Sequence, residues 1–187
     1  MSIRIIGGTL KRRNIKTPSA FTAELRPTAS RVRESLFNIL ANQFEGKNVL
    51  DLFAGMGCLG IEALSRGAAF ATFVEKEFKH AKILSENIKE LDLEKQTKVI
   101  VAPLPRALAN LQGPFDFIFI DPPYEKNLEI EVLEQLPKLK LMHEQTVIIV
   151  EQSRHSVNLW PVEYREDRTH RVGDTNLCFL KPESPKP

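Results

Sequence analysis

Five short apolar runs set the limits on what this chain can become: Val49–Phe53, Ala71–Val74, Val99–Val101, Phe115–Ile120 and Thr146–Val150. They show little polar alternation, the pattern of strands covered on both faces. The segments between them carry helical spacing. Over Phe78–Leu91 it puts Ala81, Leu84 and Ile88 on one face, and shorter helices are predicted over Leu59–Ser65, Leu104–Leu111 and Leu128–Leu136. Pro105 is tolerable in a first turn. Strand–helix repetition implies a parallel sheet with right-handed crossovers. Val162–Arg165 and Thr175–Leu180 read as a closing antiparallel pair around Gly173. Upstream, Arg4–Leu10 reads as two short strands around a Gly7-Gly8 turn, and residues 17–27 as a loop. A helix then opens at Pro27-Thr28 and closes at Gly46. Val32, Leu36, Ile39 and Leu40 line one face, with Arg31, Arg33 and Glu34 off it. The expectation is an α/β domain over 21–181, a basic β-hairpin extension over 1–20 and a disordered tail over 182–187.

The chain has 187 residues, 42% of them hydrophobic, enough for one sizeable core. Cys58 and Cys178 have no nearby cysteine partner and the four histidines are scattered, so neither a disulfide framework nor a metal site is expected. No apolar run approaches the ~18 residues of a membrane span, and the start lacks the apolar core of a signal peptide. A reduced, cytoplasmic, membrane-free protein is expected. Charge is distributed unevenly. Residues 1–33 carry eight Lys/Arg against one acid, Glu24, a balance of +7; the whole chain is +2, so the rest is −5. A basic arm on a mildly acidic body suits a polyanion. Ile3, Ile5, Ile6, Leu10 and Ile15 are interleaved with those charges, so the arm is expected to fold back on the body.

After the first apolar run comes Asp51-Leu52-Phe53-Ala54-Gly55-Met56-Gly57-Cys58-Leu59-Gly60. Gly55 and Gly57 allow a sharp turn and close ligand approach, and Gly60 allows close helix packing. Glu75 ends the second run, 24 residues after Asp51. There a carboxylate can accept both ribose hydroxyls of an adenosine, or simply be a solvated strand end. Asp51 would repel a pyrophosphate, which argues against an ordinary dinucleotide. It would welcome a cofactor with an ammonium group, such as the aminoacyl end of S-adenosyl-L-methionine. Its other reading is a loop cap that accepts backbone N–H bonds. Cys58 reads as a small filler.

The fourth apolar run leads directly into Asp121-Pro122-Pro123-Tyr124. An exocyclic base amine is a poor nucleophile because its lone pair is delocalised into the ring. The Asp121 carboxylate and the Pro122 carbonyl can accept both of its N–H bonds, and Tyr124 can stack on the base face. Prolines stiffen such a loop and remove competing donors. The bland alternative is a rigid turn after a buried strand.

At this point the chain resembles the RsmD-type bacterial methyltransferases. The resemblance rests on Arg4-Ile5-Ile6-Gly7-Gly8, Arg26-Pro27-Thr28 with Arg31-Val32-Arg33-Glu34, Leu50–Gly55, Glu62–Gly67, Asp121–Tyr124 and Gly173-Asp174-Thr175, from about Arg4 to about Leu180. It implies a Rossmann-like S-adenosylmethionine-dependent fold with a mixed seven-stranded sheet and a small N-terminal β-hairpin. It implies methyl transfer to the exocyclic N2 of one guanine in 16S ribosomal RNA, in the small subunit or its assembly intermediate, by a monomer. On this reading Asp121, Pro122 and Tyr124 are catalytic. Asp51, Phe53, Gly55, Gly57, Glu75 and Leu104 hold the cofactor. Arg4, Lys11, Arg12, Arg13, Arg26, Thr28 and Arg31 meet RNA. Thr28 can equally N-cap its helix, and Arg33 can pair with a Glu within it. One departure stands out: such enzymes usually present a polar or acidic residue to adenine after the third strand, and here Val101–Arg106 holds no acid.

The nearest rival is an N6-adenine methyltransferase on DNA or RNA, which more often has Asn at the position of Asp121 and a larger target-recognition segment. A protein-glutamine methyltransferase would not need the basic arm. A catalytically dead RNA-binding module would not need Asp51, Glu75 and Asp121–Tyr124 intact. A dehydrogenase would leave the Pro-Pro loop without a role.

Overall fold

The computed structural model describes residues 2–18, 30–123, 128–156 and 159–183. In chain order its elements are β1 (Ser2–Arg4), β2 (Asn14–Lys16), α1 (Ser30–Leu40), β3 (Asn48–Leu52), α2 (Cys58–Ser65), β4 (Phe70–Glu75), α3 (Phe78–Glu90), β5 (Thr97–Val101), β6 (Phe115–Ile120), α4 (Leu128–Gln135), β7 (Met142–Ser153), β8 (Tyr164–Val172) and β9 (Thr175–Pro182). Seven strands form one sheet in the order β5-β4-β3-β6-β7-β9-β8. The first five are parallel, while β9 runs antiparallel to both β7 and β8. The strand order reverses between β3 and β6, which brings the carboxyl ends of both to the place where open α/β sheets bind ligands.

The absence of alternation in the apolar runs is explained by two cores. Val49, Phe73, Phe117, Phe119 and Ile149 point into one, shared with α1, α2 and α3. Leu50, Leu52, Val74, Ile118, Ile120 and Val150 point into the other, shared with α4. Each fully buried side chain of this kind contributes about 1.5–3 kcal/mol. β8 breaks the pattern and was only partly legible. It extends to Val172 rather than stopping at Arg165, through a run that is polar from Arg165 to Arg171 and exposed over that length. As an edge strand it is held by its ladder to β9, so its composition carries no burial signal. The expected helix at Leu104–Leu111 is only a 3-10 turn over Arg106–Asn110; Pro103 and Pro105 bring no N–H to a longer one. α1 ends at Leu40, and Gly46 closes the turn after it. β9 runs through Pro182, so that residue belongs to the sheet rather than to a tail. No helix among the described residues is long and apolar enough to cross a membrane.

The N-terminal hairpin is also differently built. β1 and β2 pair in register Ile3↔Ile15, but Gly7-Gly8 is not a two-residue turn between them. These glycines lie in the longer connection and press on α2. A Cβ on Gly8 (φ 73°) would sit 1.7 Å from the Ser65 carbonyl oxygen, and one on Gly7 would sit 2.5 Å from Arg66 Nη2. Glu62, fully buried, accepts the Ile6 and Gly7 N–H groups, each at 2.8 Å, and pairs with Arg66 Nε at 2.9 Å. Asn87 on α3 accepts the Lys16 N–H at 2.7 Å, and its amide donates to the carbonyls of Lys16 and Met56. The hairpin is thus fastened to α2 and α3, and through Met56 to the glycine loop. Arg33 completes the joint. Placed off the apolar face by helical spacing, it is instead 2% exposed, with Nη2 donating to the Arg4 carbonyl at 2.8 Å. The hairpin supplies the acceptor that an isolated helix would not have, and no pairing within the helix is seen.

Candidate active site

β3 delivers the chain into a tight loop. Phe53 (φ 61°), Gly55 (φ 55°) and Gly57 (φ 81°) all have left-handed backbone, and Phe53 holds it without the freedom of glycine. At Gly57, a Cβ would meet Leu84 Cδ1 at 2.4 Å, and at Gly60 it would meet Phe73 Cε1 at 2.3 Å, so both glycines permit close packing. Gly55 differs: a Cβ there would meet nothing within 4 Å. The loop therefore presents open space on the side where a ligand could approach its backbone.

Two carboxylates shape this loop. α2 has Gly57 as its N-cap and no side-chain cap there. Asp51 does that work from the strand, its Oδ2 accepting the Gly60 N–H at 2.8 Å. The loop-capping alternative is thus what the geometry displays. The Asp51 carboxyl is 2% exposed. Burial pushes its pKa up to about 8 against the Gly60 hydrogen bond, with the charges of Asp121 and Glu75 adding to the rise. Glu75, also buried, accepts the Gly55 N–H at 2.7 Å through Oε2 and the Glu77 N–H at 2.8 Å through Oε1. His80 Nδ1 lies 3.7 Å from Oε1. Leu104 is partly buried and packs, with Phe53 and Ala102, against the second core. Val101 beside it is 47% exposed.

Asp121 follows the last residue of β6. The ladders pair Leu52 with Ile120 and Ile120 with Val150, so Phe53, Asp121 and Glu151 follow at one level on three adjacent strands. Asp121 is half-buried and Pro122 buried. Glu151 is buried as well, and the sequence reading did not single it out. Its signal was present: it directly follows an apolar run, as Asp121 does. Asp51, Glu75, Asp121 and Glu151 all lie at or near the carboxyl ends of parallel strands.

The sequence-derived RNA-contacting residues divide into groups. Arg4, Lys11, Arg12 and Arg31 are exposed. Arg13 is also on the surface, but its Nη2 donates to the Glu90 carbonyl at the end of α3, and Nη1 lies 4.0 Å from Asp92. Lys16 pairs with Glu90. Arg26, Thr28 and Tyr124 lie outside the described residues. Cys58 is buried, and burial pushes its thiol up to about 11, as befits a filler rather than a nucleophile.

A parallel sheet ending in antiparallel strands, a glycine loop with an acid on the neighbouring strand and an Asp-Pro-Pro loop beside it define a class, the S-adenosylmethionine-dependent methyltransferases. The fold is shared with the S-adenosylhomocysteine-bound methyltransferase PaMTH1 of Podospora anserina (TM-score 0.68, 14% identity, 83% of this chain and 80% of that one). Within this class the chain belongs to the family described as conserved hypothetical protein 95, which matches residues 3–181 and is that of the RsmD-type enzymes. It is 39% identical over 181 residues to the ribosomal RNA small subunit methyltransferase D of Buchnera aphidicola subsp. Acyrthosiphon pisum, covering 95% of this chain and 92% of that protein. The solved structure of Escherichia coli yhhF superimposes with a TM-score of 0.85 at 33% identity, over 98% of this chain and 99% of that one.

Proposed function

We propose that this chain transfers a methyl group from S-adenosylmethionine to the exocyclic N2 amine of a guanine in small-subunit (16S) ribosomal RNA, as a cytoplasmic monomer. The observation that carries the reading is the level shared by Phe53 and Asp121 on β3 and β6, which sets the cofactor loop directly beside the Asp-Pro-Pro loop. The relatives named as small-subunit ribosomal RNA methyltransferases support an RNA substrate.

The open face at Gly55 fits a cofactor lying against the loop backbone. S-adenosylmethionine supplies the electrophilic methyl group. Asp51 would hold its ammonium group. Glu75 keeps acceptor capacity for ribose hydroxyls, since a carboxylate has about four lone-pair sites and two are used here. The Asp121 carboxylate and Pro122 carbonyl accept the two N–H bonds of the target amine and draw its lone pair out of conjugation. As the N–CH3 bond forms and the donor's S–CH3 bond breaks, they offset the positive charge that develops on nitrogen, and the surplus N–H proton then leaves through the Asp121 carboxylate to solvent; catalysis rests on this alignment. Tyr124 supplies a stacking ring, and the base leaves its own stack to reach it.

The test is single-turnover methyl transfer from labelled donor to small subunits of a strain lacking its own enzyme, with the product nucleoside identified. N2-methylguanosine is expected. N6-methyladenosine would shift the assignment to the adenine-directed class. Asp121→Ala should keep cofactor affinity and lower the rate by roughly 100-fold, about 2.7 kcal/mol of lost transition-state stabilisation. Tyr124→Phe should be mild. A parental rate in Asp121→Ala would remove the clamp from the mechanism.

A further inference from the structure

Arg33 has more hydrogen-bonding capacity than its described surroundings use. It is among the largest fully buried side chains in the protein. Only Nη2 is matched, by the Arg4 carbonyl; Nε and Nη1 are buried without a hydrogen-bond partner. Leaving charged donors unmatched in a protein interior is costly, and such groups collect where a ligand completes them.

Its position indicates which ligand. Phe44 of the turn after α1 packs on Phe117, with ring centroids 4.7 Å apart, and Phe37 packs on Phe119 at 6.0 Å. Moving toward the start of α1 therefore moves along β6 toward Asp121. Arg33 lies one turn before Phe37, at the carboxyl edge of the sheet. Its guanidinium is beside Cys58, the first residue of α2, where its charge and contact oppose the burial that raises the thiol pKa. Cys58 also feels Asp51 and Asp121. The unmatched N–H groups thus belong to the wall between the glycine loop and the Asp-Pro-Pro loop. That wall is crowded with carboxylates and would repel the aminoacyl carboxylate of a methyl donor unless a cation answered it.

We propose that Arg33 binds the carboxylate of the donor's aminoacyl end through Nε and Nη1, with Asp51 taking the ammonium. This rests on reading the glycine loop as the methyl-donor site. Nη2 keeps its bond to Arg4, so one side chain joins the hairpin to the cofactor.

The experiment measures calorimetric affinities of S-adenosylmethionine and its decarboxylated form, which retains the ammonium and sulfonium groups, for the natural chain, Arg33→Gln and Arg33→Lys. The natural chain should prefer the carboxylate-bearing form by about tenfold to a hundredfold, as charge-assisted hydrogen bonds imply. Arg33→Gln should bring the ratio close to one by weakening S-adenosylmethionine alone, and Arg33→Lys should retain part of the preference. Equal binding of both forms by the natural chain would overturn the proposal even if Arg33→Gln does not fold. So would a variant that keeps the natural ratio, or one that weakens both forms equally and thereby marks Arg33 as purely structural. A variant that changes only RNA affinity would reassign Arg33 to phosphate. If the natural chain bound neither form, the donor-site reading itself would fall, a result distinct from equal binding of both.

Discussion

At the scale of single residues, the site is a set of acids kept close together. Asp51 shows the consequence. Its carboxyl is raised to about 8, chiefly by burial. A raised folded-state pKa adds stability below the unfolded value of 3.8, and that contribution is lost as pH rises through about 8. An ammonium partner reverses the sign, because it favours the ionised form. Binding of S-adenosylhomocysteine should therefore release protons between about pH 5 and pH 8, and its affinity should rise with pH by at most about tenfold per unit. Asp51→Asn should bind more weakly and lose most of that slope. Calorimetry in buffers of different ionisation enthalpy measures both quantities, and a flat affinity across this range in the natural chain would separate Asp51 from the ammonium.

At the scale of elements, the hairpin shows how far the sequence could be read. A strand near Arg4, and an arm folding back on the body, were legible from interleaved charge and apolar residues, but the second strand, expected by Leu10, lies at Asn14–Lys16. The role of Gly7-Gly8 was not legible, because a turn and a close approach call for the same residue. What separates them is Ser65, 57 positions away from Gly8 in the chain. Arg33 and Asn87 escaped for a related reason: each is a polar residue buried by a partner in the hairpin, and helical periodicity contains no such partner. The glycine loop and the Asp-Pro-Pro loop were legible because local chemistry shapes them. The joint can be tested with two alanines. Gly8→Ala combines a left-handed φ with a collision against backbone and should cost more than about 2 kcal/mol. Gly46→Ala has φ 71° and nothing within 4 Å of the new Cβ, so it should cost only about 1 kcal/mol. Urea denaturation compares them. Equal costs would mean that the hairpin is not pressed onto α2.

For the whole molecule, the question is what the basic arm does once it is docked. Its charge excess was legible, but fastening the hairpin to α2 and α3 divides the charges by task. Arg13 and Lys16 engage Glu90 and Asp92 at the end of α3, where cations also favour the helix dipole. Lys11 and Arg12 are exposed beside them. On a body that is otherwise −5, these two and Arg4 and Arg31 are the candidates for phosphate contact. Counterion release then separates the roles, because each phosphate contact lowers the log–log salt slope of binding by about 0.7–0.9. Replacing Lys11 and Arg12 together with Ala should weaken small-subunit binding, reduce the slope by up to about two units, and leave urea stability and cofactor affinity nearly unchanged. Arg13→Ala should do the opposite, lowering stability by up to about 1 kcal/mol, as expected of a surface ion pair, with little change in slope. Small-subunit affinity across a salt series, set beside denaturation curves, decides the matter. A double variant with the parental slope would show that the arm serves the fold alone and would move the RNA footprint to the exposed edge strand β8, around Arg165, Arg168 and Arg171.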